Sequence, residues 1–176
     1  MSTFLSVLRS IVVGVLAAIV IEIVALQPFR VSGESMQPNF FNNERVIIDK
    51  ITPKFTGYTR GEVVVFLLAN PENGVEHLIK RIIALPGERI LIIDRTIIIY
   101  NKAHPDGMRL DESRYRPRIN RDIPINVQLS DDEYFVMGDN RPVSKDSEIF
   151  GPISTRSIVG RVLVRYFPFD KIGAVR

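Results

Sequence analysis

A mainly β domain of antiparallel strands, closed as a sheet or barrel and preceded by one apolar helix, is what this sequence predicts. Three observations carry that expectation. Short β-branched runs recur between turn residues from residue 29 onward, no helical period of useful length follows residue 30, and a long apolar stretch opens the chain. The 176 residues suffice for one such domain plus an N-terminal segment, with a core that needs no disulfide.

From Ser10 to Leu26 the chain is apolar apart from Glu22, and joined across Arg9 to residues 3–8 it is long enough to span a bilayer. The pattern predicts a short tail over 1–9, a transmembrane anchor over 10–28 and a β domain over 29–176. Glu22 inside a span is costly, so it would face protein, pair with a cation or sit near the interface. The alternative is a cleavable secretory signal, because Arg9 precedes the apolar run 11–21 and Ala17, Ala18 and Ala25 supply small residues. A buried core helix would show a polar face, which is nearly absent. With Arg9 before the span and Arg30 soon after it, charge does not settle the orientation.

Arg45 to Asp49 and Glu62 to Leu68 read as strands, bounded by Pro53, Gly57, Asn70-Pro71 and Asn73-Gly74. His77 to Leu85 continues the series up to Pro86-Gly87. Ile90 to Ile93 and Ile97 to Tyr100 read as a hairpin across Asp94-Arg95-Thr96. Residues 104–132 then turn to Pro, Arg, Asp and Asn, with Arg109, Arg114, Arg116, Arg118 and Arg121 nearly balanced by Asp106, Asp111, Glu112 and Asp122. They read as a solvated insertion between strands, with no chemistry assigned. Glu133 to Met137 and Ile158 to Phe167 return to strand.

Cysteine is absent, which excludes a disulfide framework, a thiol nucleophile and a Cys-based metal site. The two histidines, His77 and His104, have no companion ligands at metal-type spacing, so neither a metal nor an organic cofactor is expected. The net charge of +3 is spread among interleaved acids and reads as a mildly cationic surface suited to anionic lipid. Nucleic acid is not expected as a partner, since the basic insertion mixes in acids and offers only Tyr115 for stacking.

Two stretches carry candidate chemistry. In Val31-Ser32-Gly33-Glu34-Ser35-Met36-Gln37-Pro38 a hydroxyl stands in a loop with a glycine before it and a proline after it, where tight backbone geometry exposes a nucleophile. In His77-Leu78-Ile79-Lys80-Arg81-Ile82-Ile83 a lysine stands among aliphatic side chains. There its charged form loses hydration and a neutral amine becomes available near neutral pH. A serine with a lysine base needs no histidine. Taken singly, each has an ordinary structural reading: a serine in a turn, and a lysine that snorkels to water.

Together with Arg60-Gly61-Glu62-Val63-Val64-Val65-Phe66 and Val136-Met137-Gly138-Asp139-Asn140-Arg141-Pro142-Val143-Ser144-Lys145-Asp146-Ser147, these blocks closely resemble type I signal peptidases in order and spacing. The resemblance runs from the apolar segment to Arg161-Val162-Leu163-Val164-Arg165-Tyr166-Phe167-Pro168. It implies Ser35 as nucleophile and Lys80 as general base, with Ser144 orienting the lysine amine and Asp146, Asp139 and Asn140 supporting the site. Phe29, Val31, Leu78 and Ile79 would line shallow pockets for small side chains one and three places before the cleaved bond. The family's members are single-pass membrane enzymes with the catalytic domain on the extracytoplasmic side. They remove signal peptides from exported preproteins after Ala-x-Ala, so preproteins and membrane lipid are the expected partners, and a monomer is expected.

Three positions depart from the pattern. Gly33 stands where some members carry a hydroxyl that helps bind the oxyanion. Glu148 stands where an arginine commonly pairs with the aspartate, leaving Lys145 or Arg156 as the expected partners of Asp146. Asn39 replaces a threonine. Two rivals share the sequence features: a related Ser-Lys processing peptidase with a narrower substrate set, and a non-catalytic membrane-tethered β domain.

Overall fold

The computed structural model describes residues 6–7, 9–15, 25–71, 74–115, 117 and 123–175. Residues 9–15 are helical and exposed. Among the described residues no helix is long and apolar enough to cross a membrane. Residues 16–24, the centre of the predicted anchor, lie outside the described residues.

In chain order the strands are β1 (Leu26–Arg30), β2 (Arg45–Asp49), β3 (Val63–Asn70), β4 (Gly74–Ala84), β5 (Arg89–Ile93) and β6 (Thr96–Asn101). They continue as β7 (His104–Arg109), β8 (Ile125–Gln128), β9 (Glu133–Met137), β10 (Ile153–Ser154), β11 (Ile158–Phe167) and β12 (Gly173–Ala174). Two short helices, α1 (Thr52–Thr56) and α2 (Ser147–Phe150), interrupt them. All pairings are antiparallel. They form an eight-stranded sheet in the order β1-β2-β11-β3-β4-β9-β10, with β12 on β11, and a four-stranded sheet in the order β7-β6-β5-β8.

The predicted end of the anchor at residue 28 is corrected by β1. Leu26 already lies opposite Asp49 and Pro28 opposite Ile47, and the Lys50 N–H donates to the Ala25 carbonyl at 2.9 Å. Backbone groups from Ala25 onward are therefore satisfied by β2. Hydropathy alone cannot separate an apolar strand start from the tail of an apolar helix.

A second correction concerns 104–132, which holds β7 and β8 rather than a plain solvated insertion. β7 pairs with β6 and β8 with β5, so both strands flank the predicted hairpin. That hairpin turns at Asp94 and Arg95, both left-handed with φ of 48° and 58°, the geometry whose twist matches the flanking strands. Polar composition hid β7 because its burial is slight: its first three residues are exposed.

Strand β4 joins the two halves. Its N-terminal part is mostly exposed, whereas the six residues Ile79–Ala84 are all buried. Ile79 enters a core with Val31, Met36, Phe40 and Val63, while Ile82 packs with Val64, Phe66 and Val136. Ile83 and Ala84 pack with Ile90, Ile99 and Phe135 under the second sheet. A side chain at position 80 is thus held between cores whichever way it leaves the backbone.

Gly160 lets β11 approach β2: a Cβ there would stand 2.4 Å from the carbonyl oxygen of Asp49 and 2.9 Å from its carbon. Neither backbone atom can swing aside as a flexible side chain could. Gly160→Ala is expected to destabilise the domain by about 1–3 kcal/mol through overpacking. Urea denaturation of the two proteins measures it, and coincident midpoints would mean that the β2–β11 seam relaxes freely.

Candidate active site

Ser35 sits in a loop closed on itself between β1 and β2. The Val31 N–H donates to the Glu44 carbonyl at 2.8 Å and the Asn43 N–H returns to the Val31 carbonyl at 2.9 Å. Met36 and Phe40, both 1% exposed, root the loop in the core. Inside it the Met36 carbonyl accepts from the N–H groups of Asn39 and Phe40. Gly33 has φ of +87°, a left-handed conformation that a side chain would strain, and its N–H donates to Asn42 Oδ1 at 3.2 Å.

Lys80, 3% exposed, reaches this loop from β4. Its Nζ lies 2.8 Å from Ser35 Oγ and donates to the Ile79 carbonyl at 3.0 Å. Burial brings the amine from 10.5 down to about 8, against the carboxylates of Asp146 and Asp139, which pull it upward. The order of these effects has a structural cause. Asp139 is held by Arg81 through Nε to Oδ1 at 2.9 Å and Nη2 to Oδ2 at 2.7 Å, with both side chains 1% exposed. Asp146, fully buried, accepts the N–H groups of Gly138 at 3.0 Å and Glu148 at 3.2 Å. Both acids face donors of their own, and burial outweighs their pull on the lysine.

The third component is the segment Gly138–Asn140. The Asn140 N–H donates to the Ser35 carbonyl at 2.9 Å, and its Nδ2 to the Glu34 carbonyl at 3.1 Å. A Cβ on Gly138 would fall 2.5 Å from the Ser35 oxygen and 2.3 Å from Ser144 Oγ. Only glycine permits that approach. Asn39, next in the nucleophile loop, donates to Asp139 Oδ2 at 2.8 Å and to the Tyr115 carbonyl at 2.7 Å, so the substitution for threonine carries two contacts across the site.

Ser35 and Lys80 thus meet as the sequence predicted, and Ser144, 1% exposed, lies on the same loop as Asp146. Asp146 caps the start of α2 by accepting the Glu148 N–H and also accepts the Gly138 N–H. Of the residues expected to line substrate pockets, Val31 and Ile79 are buried in one core and Phe29 packs against it, its ring 6.3 Å from His77. Leu78 packs on a different core with Phe66 and Ile82, because successive strand residues face opposite ways. The four do not converge. Among the described residues no group of three His, Cys, Asp or Glu side chains is arranged to hold a metal ion. Sequence reasoning gave no role to Arg81, Gly138, Glu112 or Tyr115. For Arg81 the signal was there: a second cation in an apolar run must find a buried acid.

Comparison with known proteins agrees with this geometry. The family described as signal peptidase, peptidase S26, matches residues 4–167. Signal peptidase I P of Bacillus subtilis subsp. natto is 31% identical over 94% of this chain and 90% of its own length. Signal peptidase I of Bacillus amyloliquefaciens is 32% identical over 93% and 88%, and signal peptidase IB of Staphylococcus aureus 32% over 82% and 79%. A solved signal peptidase I from Enterococcus faecalis V583 is 28% identical over 59% of this chain and 95% of that one, at a TM-score of 0.45, too low to add weight. With nearly the whole chain matched, this protein belongs to the signal peptidase family, peptidase S26.

Proposed function

We propose that this chain is a membrane-bound endopeptidase that removes N-terminal signal peptides from exported preproteins, cutting after small residues in Ala-x-Ala sites with Ser35 as nucleophile and Lys80 as base. The observation that carries this reading is the 2.8 Å approach of Lys80 Nζ to Ser35 Oγ, made by a lysine only 3% exposed. That separation suits proton transfer. Membrane anchoring, with the β domain on the extracytoplasmic side, rests on the apolar N-terminal stretch and on the family resemblance.

The neutral Lys80 amine accepts the Ser35 proton as Oγ attacks the scissile carbonyl. The ammonium then protonates the leaving amine, and a water activated by the same lysine hydrolyses the acyl-enzyme. Ser144 and the Asp146 that braces its loop keep the amine oriented. The Ser35 N–H stabilises the oxyanion, while Gly33 supplies no hydroxyl. Substrate binds as an added extended strand, with Val31, Ile79 and Phe29 on one side of its backbone and Leu78 on another.

Cleavage of a preprotein with an Ala-x-Ala site by the detergent-solubilised chain, product termini being read by mass spectrometry, tests the reading. Wild type is expected to cut after the second alanine, and Ser35→Ala and Lys80→Met to be inert. Activity in either variant, or a folded but inert wild type, would refute the dyad. Gly138→Ala is expected to lower kcat by about a hundredfold, since the added methyl displaces the Ser35 backbone and Ser144 together; kcat within twofold of wild type would show that the loop tolerates the methyl.

Because the neutral amine is the active form, kcat/KM is expected to rise with pH through about 8 and level off above it. Stability follows the same group. Below about 8 the amine is charged in both folded and unfolded chains and burial costs its full amount; above 10.5 it is neutral in both and the cost vanishes. The shift from 10.5 to about 8 corresponds to at most about 3 kcal/mol. Lys80→Met is therefore expected to be more stable than wild type near neutral pH, with the gap closing as pH rises from 8 to 10.5. Chemical denaturation across that range checks it, and a gap that widened with pH would mean that Lys80 titrates above its ordinary value.

A further inference from the structure

The segment 104–132 supplies contacts that its sequence did not suggest. Glu112 and Tyr115 face each other across one turn, in which the Tyr115 N–H donates to the Glu112 carbonyl at 3.2 Å and the Tyr115 hydroxyl to Glu112 Oε1 at 2.8 Å. Burial and the adjacent carboxylate push the Tyr115 phenol far above its ordinary value, so the hydroxyl remains a donor. From this turn three links run to the parts of the catalytic site. Glu112 forms an ion pair with Arg141, whose side chain is 5% exposed and whose Nε donates to the Gly138 carbonyl at 3.0 Å. The Tyr115 ring lies under the Arg81 guanidinium, 4.3 Å from ring centre to Cζ, on the residue next to Lys80. The Tyr115 carbonyl accepts from Asn39 in the nucleophile loop.

We infer that Glu112 and Tyr115 are positioning residues for the Ser35–Lys80 pair: a single turn between β7 and β8 fixes the three separate backbones that carry the nucleophile, the base and the loop holding Ser144. The argument is one of constraint. Gly138 can stand no further from Ser35 and Ser144 than contact distance without opening the site to water, and Arg141 is the side chain that grips the Gly138 carbonyl from behind. A guanidinium this buried stays in place only while its charge is answered. Glu112 answers it, and Tyr115 fixes Glu112. Loss of the carboxylate would let Arg141 seek water, release Gly138 and hydrate the space around Lys80, which faces Ser35, Asp139 and Asp146.

The inference rests on the reading of Ser35 and Lys80 as the catalytic pair, and two measurements on the full chain in detergent test it. One is the titration of Lys80 Nζ followed by NMR; the other is kcat and KM on the Ala-x-Ala preprotein. In Glu112→Gln, Lys80 is expected to titrate at higher pH than in wild type, and kcat to fall about tenfold or more with KM little changed. Glu112→Asp, which keeps the charge, is expected to recover part of the rate. Should Glu112→Gln fail to fold, Tyr115→Phe carries the test, since it deletes one hydroxyl and keeps the ring on Arg81; a smaller change in the same two readouts is expected. An unchanged Lys80 titration, or a rate loss matched by the unfolded fraction in thermal melting, overturns the inference. The titration needs no turnover. An inert wild type would sink the peptidase reading while the shift in Glu112→Gln still decides the positioning role.

Discussion

Arg81 and Asp139 form an almost fully buried ion pair, and the site is arranged around satisfying it. Removing two charges from solvent costs several kcal/mol for each ion, a loss offset only when every donor and acceptor finds a partner. Here Nε and Nη2 meet the two carboxylate oxygens, Nη1 meets the Gly61 carbonyl at 2.7 Å, the ring of Tyr115 covers one face, and Asn39 takes a remaining lone pair of Asp139. Each of these partners lies on a different segment. Satisfying one pair of charges therefore sets the register of β4, the nucleophile loop, the start of β3 and the Gly138 loop at once. Lys80 is Arg81's neighbour in sequence, and Gly138 and Asn140 flank Asp139, so Ser35 and Lys80 inherit that register.

The same arrangement explains how a lysine beside two acids titrates near 8 instead of 10.5. Burial acts on Lys80 as on any amine, but the Coulomb attraction of Asp139 and Asp146 opposes it. Were either carboxylate free to turn toward the amine, an ordinary salt bridge would form and the pKa would rise. Arg81 occupies one and backbone N–H groups occupy the other. The site thus holds both acids near the lysine while each accepts from other donors.

Most of the main sheet could be read from the chain, because β2, β9 and β11 are rich in β-branched or aromatic residues, are bounded by clear turns and match their predicted ends. Ser35 and Lys80 were legible because each is chemically out of place: a hydroxyl in a tight loop, an amine in an aliphatic run. What could not be read were partners that exist only in three dimensions. Leu78 and Ile79 are adjacent in sequence, and strand alternation sends them to separate cores. Glu112 and Tyr115 sit in a stretch whose composition is that of a solvated loop, and nothing local distinguishes Tyr115, 7% exposed, from a surface tyrosine. The strand beginning at Leu26 was masked by the apolar segment that precedes it.

The contacts that complete the site bridge long separations: 45 residues between Ser35 and Lys80, 100 between Asn39 and Asp139, and 106 between Glu34 and Asn140. Closing loops of that length is entropically slow, and no local element can stand in for the Gly138 loop. A ribosome delivers β1 through β8 before that loop exists. From Lys80 to Gly138, 58 residues of the chain, the nascent polypeptide holds both side chains without the loop that braces them. The contacts that brace Ser35 and Lys80 are complete only when the last quarter of the polypeptide has emerged, a delay set by chain order alone.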